Sequence, residues 1–208
     1  MGKIYIFPLI NVVLMPGNIV GIIINDEKLL NNLSSHERKF IASLVKDEKK
    51  LELNDYGCLC EIIGMQKLSK NTFILQLKAS KRVKIGKIEF DDIYPFTENY
   101  KVLEENIEDD PITKEKLLSL AQKYIPFLNY ENISSLRDKD LCSLTDIIVS
   151  IMKANIKIKQ QFLEEPMCLI RAQKLIELLE QILKRWPGKI IILKSFLPKP
   201  LPTTIYLT

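Results

Sequence analysis

The 208-residue chain carries 30 basic and 26 acidic residues, a net charge of +4, and 47% of its residues are hydrophobic. Those proportions exclude an intrinsically disordered chain and give enough length for one domain, or two small ones, with a sizeable core. The charge excess is too small to argue nucleic-acid binding, and most of it lies at the end, where residues 187–208 hold Lys189, Lys194 and Lys199 and no acid.

The opening stretch IFPLINVVLMPG, Ile6 to Gly17, is apolar but does not read as a secretory signal. Lys3 is its only early charge, and Pro8, Asn11, Pro16, Gly17 and Asn18 interrupt the run. No later run reaches the roughly 18 apolar residues of a membrane span, so a cytoplasmic protein without membrane contact is expected. KIYIF predicts a strand ending at Pro8, and Pro16-Gly17 a tight turn. NIVGIIIN is rich in β-branched residues and predicts a buried strand. DEKLLNNLSS predicts a short helix with Asp26 at its N-cap. KFIASLV predicts a strand, and KDEKKLELND an exposed loop or hairpin.

Three strands are then expected in quick succession, in YGCLCEIIGMQKL, TFILQLKAS and KRVKIGKIEF, with a facing switch near Gly86. YPFTENYKVLEE predicts one further strand, at an edge because Pro95 lacks a ladder donor. This spacing suggests a small barrel or folded sheet. After the acidic break at 105–111, ITKEKLLSLAQKYIPFL predicts a helix interrupted by Pro126. DKDLCSLTDIIVSIMKAN predicts a second, capped by Asp138 or Asp140 and ending near Asn155. IKIKQQFLEE reads as a short helical link. PMCLIRAQKLIELLEQILKRW predicts the longest helix, with Pro166 in its first turn and Leu169, Ala172, Ile176, Leu179 and Leu183 on one face. The fold class is therefore α+β: a β-rich subdomain over 1–108, a helical bundle over 109–186, and a basic, apolar tail over 187–208 that is expected to dock back as an extended segment.

Residues that carry chemistry are scarce. His36 is the only histidine, in the charged segment SSHERK, and is not expected to be a catalytic base. No HExxH, GxSxG, glycine-rich phosphate loop or GK[ST] occurs, and no cofactor or metal is expected. Cys58 and Cys60 lie two apart on a strand, poor spacing for zinc, and all four cysteines read as buried small hydrophobes in a reducing compartment. Alternation would put Lys78, Ser80 and Arg82 on one strand face, but no aromatic residues interleave to stack bases, so nucleic acid is not the expected partner.

The order of motifs adds more. YIFPLINVVLMPG resembles the opening of the N-terminal domain of Lon proteases at Phe7, Pro8, Leu9, Val12, Val13, Leu14, Pro16 and Gly17. Gly57, Ile62, Leu77, Arg82 and Ile85 match a second block of that family. Asp146, Ile148, Gln160, Leu163, Glu164, Arg171 and Leu178 match a third in the helical half. The resemblance covers residues 4 to about 185. It implies a PUA-like β pseudobarrel followed by a helical bundle, and a substrate-selecting module without the ATPase and protease domains. Met15, Ala79, Met167 and the segment after Gly17 depart from the family pattern. The resemblance implies a non-catalytic module that binds unfolded polypeptide or a specific protein partner, as an adaptor in protein quality control. RNA binding through the PUA-like fold is the alternative. Ile22, Ile24, Phe96 and Tyr100 are the candidate partner-binding residues, with plain barrel core as their competing role.

Overall fold

The computed structural model describes residues 2–24, 39–69, 72–91, 94–103, 110–125, 130–185 and 204–206. The helix expected at DEKLLNNLSS, His36, Pro126 and most of the tail lie outside them. Among the described residues the first half is a mixed sheet: β1 (Ile4–Leu9), β2 (Ile19–Ile24), β3 (Lys39–Asp47), β4 (Glu52–Lys67), β5 (Phe73–Ile85), β6 (Glu89–Phe90), β7 (Pro95–Thr97) and β8 (Tyr100–Val102). The helices are α1 (Pro111–Tyr124), α2 (Tyr130–Arg137), α3 (Leu141–Ile151), α4 (Ile156–Glu164) and α5 (Cys168–Arg185), and a ninth strand, β9 (Thr204–Tyr206), ends the chain's described part.

The sheet runs β6-β7-β1-β3-β4-β5-β2-β9, with β8 added on β5. β1 lies parallel to β3, and β3–β4–β5 is an antiparallel meander. β7 pairs with β1 and β8 pairs with β5. Two residues separate these short strands, so one segment leaves β1 and joins β5, closing the ring β1–β3–β4–β5–β8–β7. The Asn99 carbonyl in that link accepts from Gly86 N at 2.8 Å and from Thr97 Oγ1 at 2.8 Å. Ile4, Ile6, Ile41, Leu53, Val83 and Ile85 fill the ring. This is the pseudobarrel expected of a PUA-like fold.

Several local differences have physical causes. β1 runs through Pro8 because β7 pairs with Ile4 and Tyr5, and no described strand pairs with that flank of β1 beyond them. TFILQLKAS and the KRVKI of the next stretch form one continuous strand, and its EF forms the separate β6. Lys81 pairs with Leu59 and Ala79 with Cys60, so Ser80 is an extra residue in the ladder. This bulge, not Gly86, switches the facing: Ala79, Arg82 and Val83 are buried while Ser80 and Lys81 are exposed. YPFTENYKV splits into β7 and β8, and β7 is interior to the sheet, flanked by β1 and β6.

The opening motif forms β1, a buried crossing (Val13, Leu14, Met15) and a type II turn. Asn18 N bonds Met15 O at 3.1 Å, and Gly17 takes the φ of 85° that the turn requires at its third residue.

The chain divides into two compact units. One contains the strands together with α4, and the other contains the remaining helices. α4 packs on β4, where Gln160 Nε2 donates to the Tyr56 carbonyl at 3.4 Å and to Glu164 Oε1 at 3.0 Å. In the helical unit, α1 and α3 pack on α5. Asp110 caps α1, whose first residue is Pro111, and Asp140 caps α3. α5 begins at Cys168, two residues past Pro166. Cys142 and Cys168 are joined by a disulfide, which corrects the expectation that all four cysteines are free thiols. Cys58 and Cys60 are free and buried, and the Cys58 contact together with burial holds the Cys60 thiol well above its usual range.

Candidate functional site

β4 and β5 are long enough to serve two structures. Their proximal halves belong to the ring, and their distal halves, Ile62–Lys67 and Phe73–Lys78, carry β2 as a wing. Paired residues in a ladder share a face. On one face of the wing the rows read Ile62–Leu77–Val20, then Met65–Leu75–Ile22, with Lys67–Phe73–Ile24 last. Leu75, Leu77, Ile22 and Ile24 are buried, but Met65, in the same row, is 60% exposed. The apolar surface therefore runs from a covered stretch out to an open margin on β4.

Three large apolar side chains gather at that margin. Ile62 pairs with Leu77 and Gly64 with Gln76, so Ile63 is the extra residue of a second bulge and is 46% exposed. Leu68, 49% exposed, opens the turn to β5, where its N–H bonds Thr72 O at 2.9 Å. β3 ends its pairing at Lys39 and Glu61, so no described strand covers this side of β4 beyond that point. Charge is sparse: Lys67 Nζ lies 5.5 Å over the Phe73 ring, with its long stem beside the apolar row. The arrangement offers open backbone and exposed apolar side chains, which suits an extended polypeptide rather than a small polar ligand.

Of the residues expected from sequence, Ile22 and Ile24 lie together on β2, in the covered part of this surface. Tyr100 lies on β8 opposite Ile85, packed on the ring core, and Phe96 lies on β7 opposite Tyr5 with Lys3 Nζ 4.0 Å over its ring. Lys3 is itself held by Asp91, whose hydrogen bond raises the lysine pKa, and Asp91 also accepts from Tyr5 Oη at 3.1 Å. Ile22 and Tyr100 are thus paired with opposite ends of β5. Ile63 and Met65 were missed. Their signal was an apolar run around Gly64, which gives no facing until the bulge is known. The expected stripe of Lys78, Ser80 and Arg82 does not form: the Ser80 bulge turns Arg82 inward, where it is 1% exposed.

The matched positions in the helical unit build structure. Arg171 and Asp146 are both buried, Nε to Oδ1 at 3.6 Å, and the Arg171 guanidinium also donates to the carbonyls of Glu165 and Pro166 at 2.9 Å. This ties the start of α5 to the preceding loop and to α3. No cluster of three His, Cys, Asp or Glu side chains that could hold a metal occurs among the described residues, and no helix there is long and apolar enough to cross a membrane.

A family model for the ATP-dependent protease La (LON) substrate-binding domain matches residues 3–181. No curated protein sequence matches the chain. In fold it is similar to a Lon N-terminal domain protein from Xanthomonas campestris, with a TM-score of 0.67 at 17% identity, covering 85% of this chain and 98% of that one. It is equally similar to the N-terminal domain of a Lon protease from the Mycobacterium avium complex, with a TM-score of 0.67 at 15% identity, covering 86% and 98%.

Proposed function

This chain belongs to the LON substrate-binding domain family, and from that premise we propose that it is a non-catalytic adaptor that captures unfolded polypeptide for protein quality control. The observation that carries this reading is the open margin of the wing. Ile63, Met65 and Leu68 stand exposed beside a stretch of β4 that no described strand covers on that side, and in continuity with the buried face formed by Leu75, Ile22 and Ile24. An unfolded chain offers apolar side chains and unsatisfied backbone groups together, and this margin can take both.

The test is binding of a labelled, reduced and alkylated reporter protein, which cannot refold, against its native form. The full chain is expected to bind the unfolded reporter and not the native one. Ile63→Glu combined with Met65→Glu adds charge at two exposed sites and is expected to weaken binding by about tenfold or more, since burying an unpaired carboxylate is costly. Far-UV circular dichroism should be unchanged. Equal binding by both proteins would remove the wing as the site, and no binding by the wild type would remove the function.

A further inference from the structure

The outer edge of β2 bears on how such a polypeptide is held. β2 reads IVGIII, without charge or proline, and β5 covers one side of it. Among the described residues its other side pairs at Gly21, Ile22 and Ile23, with Thr204, Tyr206 and the Ile205 between them, in parallel register. An uncharged, β-branched edge of this kind is a ready template for a further strand. We propose that this edge is a strand-acceptor site for an extended polypeptide, and that β9 is its displaceable intramolecular occupant. The inference rests on the polypeptide-binding reading above and names where the bound chain hydrogen-bonds.

Four features make β9 an occupant rather than a fixed part of the sheet. It has three residues, and among the described strands it is the last in the sheet order, with a neighbour on one side. It pairs in parallel, the weaker ladder per residue. It is also tethered through residues 186–203, so its local concentration at β2 is finite and another strand can compete with it. A backbone ladder is indifferent to most side chains, as capture of varied unfolded sequences requires. The row that begins at Met65 passes through Leu75 to Ile22, so a chain paired with β2 there joins the surface whose margin lies on β4.

The experiment uses the full chain with Ile205→Pro and Tyr206→Pro together. N–H groups of successive strand residues point to opposite sides, so one of the two prolines removes a donor facing β2. A labelled synthetic peptide spanning residues 199–208 is the probe, with a version N-methylated at Ile205 and Tyr206 as control, read by fluorescence anisotropy. The variant is expected to bind the unmodified peptide about tenfold or more tighter than wild type, because the tethered competitor is gone. The methylated peptide should not bind. Equal affinity of wild type and variant, or binding of the methylated peptide, would overturn the proposal. The unfolded reporter is run alongside: equal capture by both proteins rejects the acceptor edge and leaves polypeptide binding standing, whereas capture by neither rejects both.

Discussion

Arg171 and Asp146 show what a single buried pair does in this protein. Both side chains are removed from water, and the guanidinium answers a carboxylate and two carbonyls at once. Such a pair adds little net stability over an apolar substitute, but removing one partner strands the other. Arg171→Leu is therefore expected to cost about 3–5 kcal/mol in urea unfolding. Adding Asp146→Leu should recover a large part of that loss, with the slope m unchanged. A double variant as unstable as the single would show that the carbonyl contacts, not the stranded carboxylate, dominate. Both residues were legible in the sequence only as matched positions in a resemblance, because an Arg and an Asp 25 positions apart carry no local pattern. Arg82 shows the opposite limit. Strand alternation placed it beside Lys78 on an outer face, and one bulged serine put it in the core.

At the scale of elements, the cap of α3 was legible as one of two candidates, Asp138 or Asp140, because the chemistry is local, whereas the Asp110 cap of α1 carried no expectation. Asp140 accepts from Ser143 N at 2.8 Å and from Ser143 Oγ at 2.7 Å. Partial burial opposes ionisation of this carboxyl, but the bonds from Ser143 outweigh it, and the pKa falls below its ordinary 3.8. A carboxylate whose folded pKa is depressed contributes stability above its unfolded pKa and loses it as the pH drops through the folded value. Asp140→Ala is thus expected to cost about 1 kcal/mol near neutral pH. The gap between wild type and variant should hold down to about pH 4 and then close as the medium becomes more acidic. Thermal melts across that range measure it, and a gap independent of pH would show that the capping bond needs no charge.

Bulges were the least legible features. An extra residue at Ser80 or Ile63 carries no turn signature, so β5 read as two strands and the exposure of Met65 went unseen. α2 was missed outright, since YENISSLR has too few apolar residues to show a helical period. Gly57 was matched through the resemblance, and only the sheet explains it: a Cβ there would lie 2.5 Å from the Ala42 carbonyl oxygen.

For the whole molecule, motif order identified the family while leaving the route of the chain hidden. The composition shift near residue 108 marks where strands give way to helices, but α4 returns to the strand-bearing unit and β9 returns to β2. Pairings this distant in sequence depend on closing long loops, and no local pattern encodes them. The strand-bearing unit therefore draws on segments that a cut at residue 108 removes. Phe162 and Leu163 of α4 are buried, each side chain worth about 1.5–3 kcal/mol when fully covered. Gln160 also supplies a donor to the Tyr56 carbonyl. A fragment of residues 1–108 is accordingly expected to lack a cooperative urea transition and to aggregate through the bare edge of β2. Joining residues 156–164 to it through a flexible glycine-serine linker should restore a measurable transition, because α4 can then reach β4. If the two fragments unfolded alike, α4 would be peripheral to the stability of the strands, and the ring β1–β3–β4–β5–β8–β7 alone would hold the unit together.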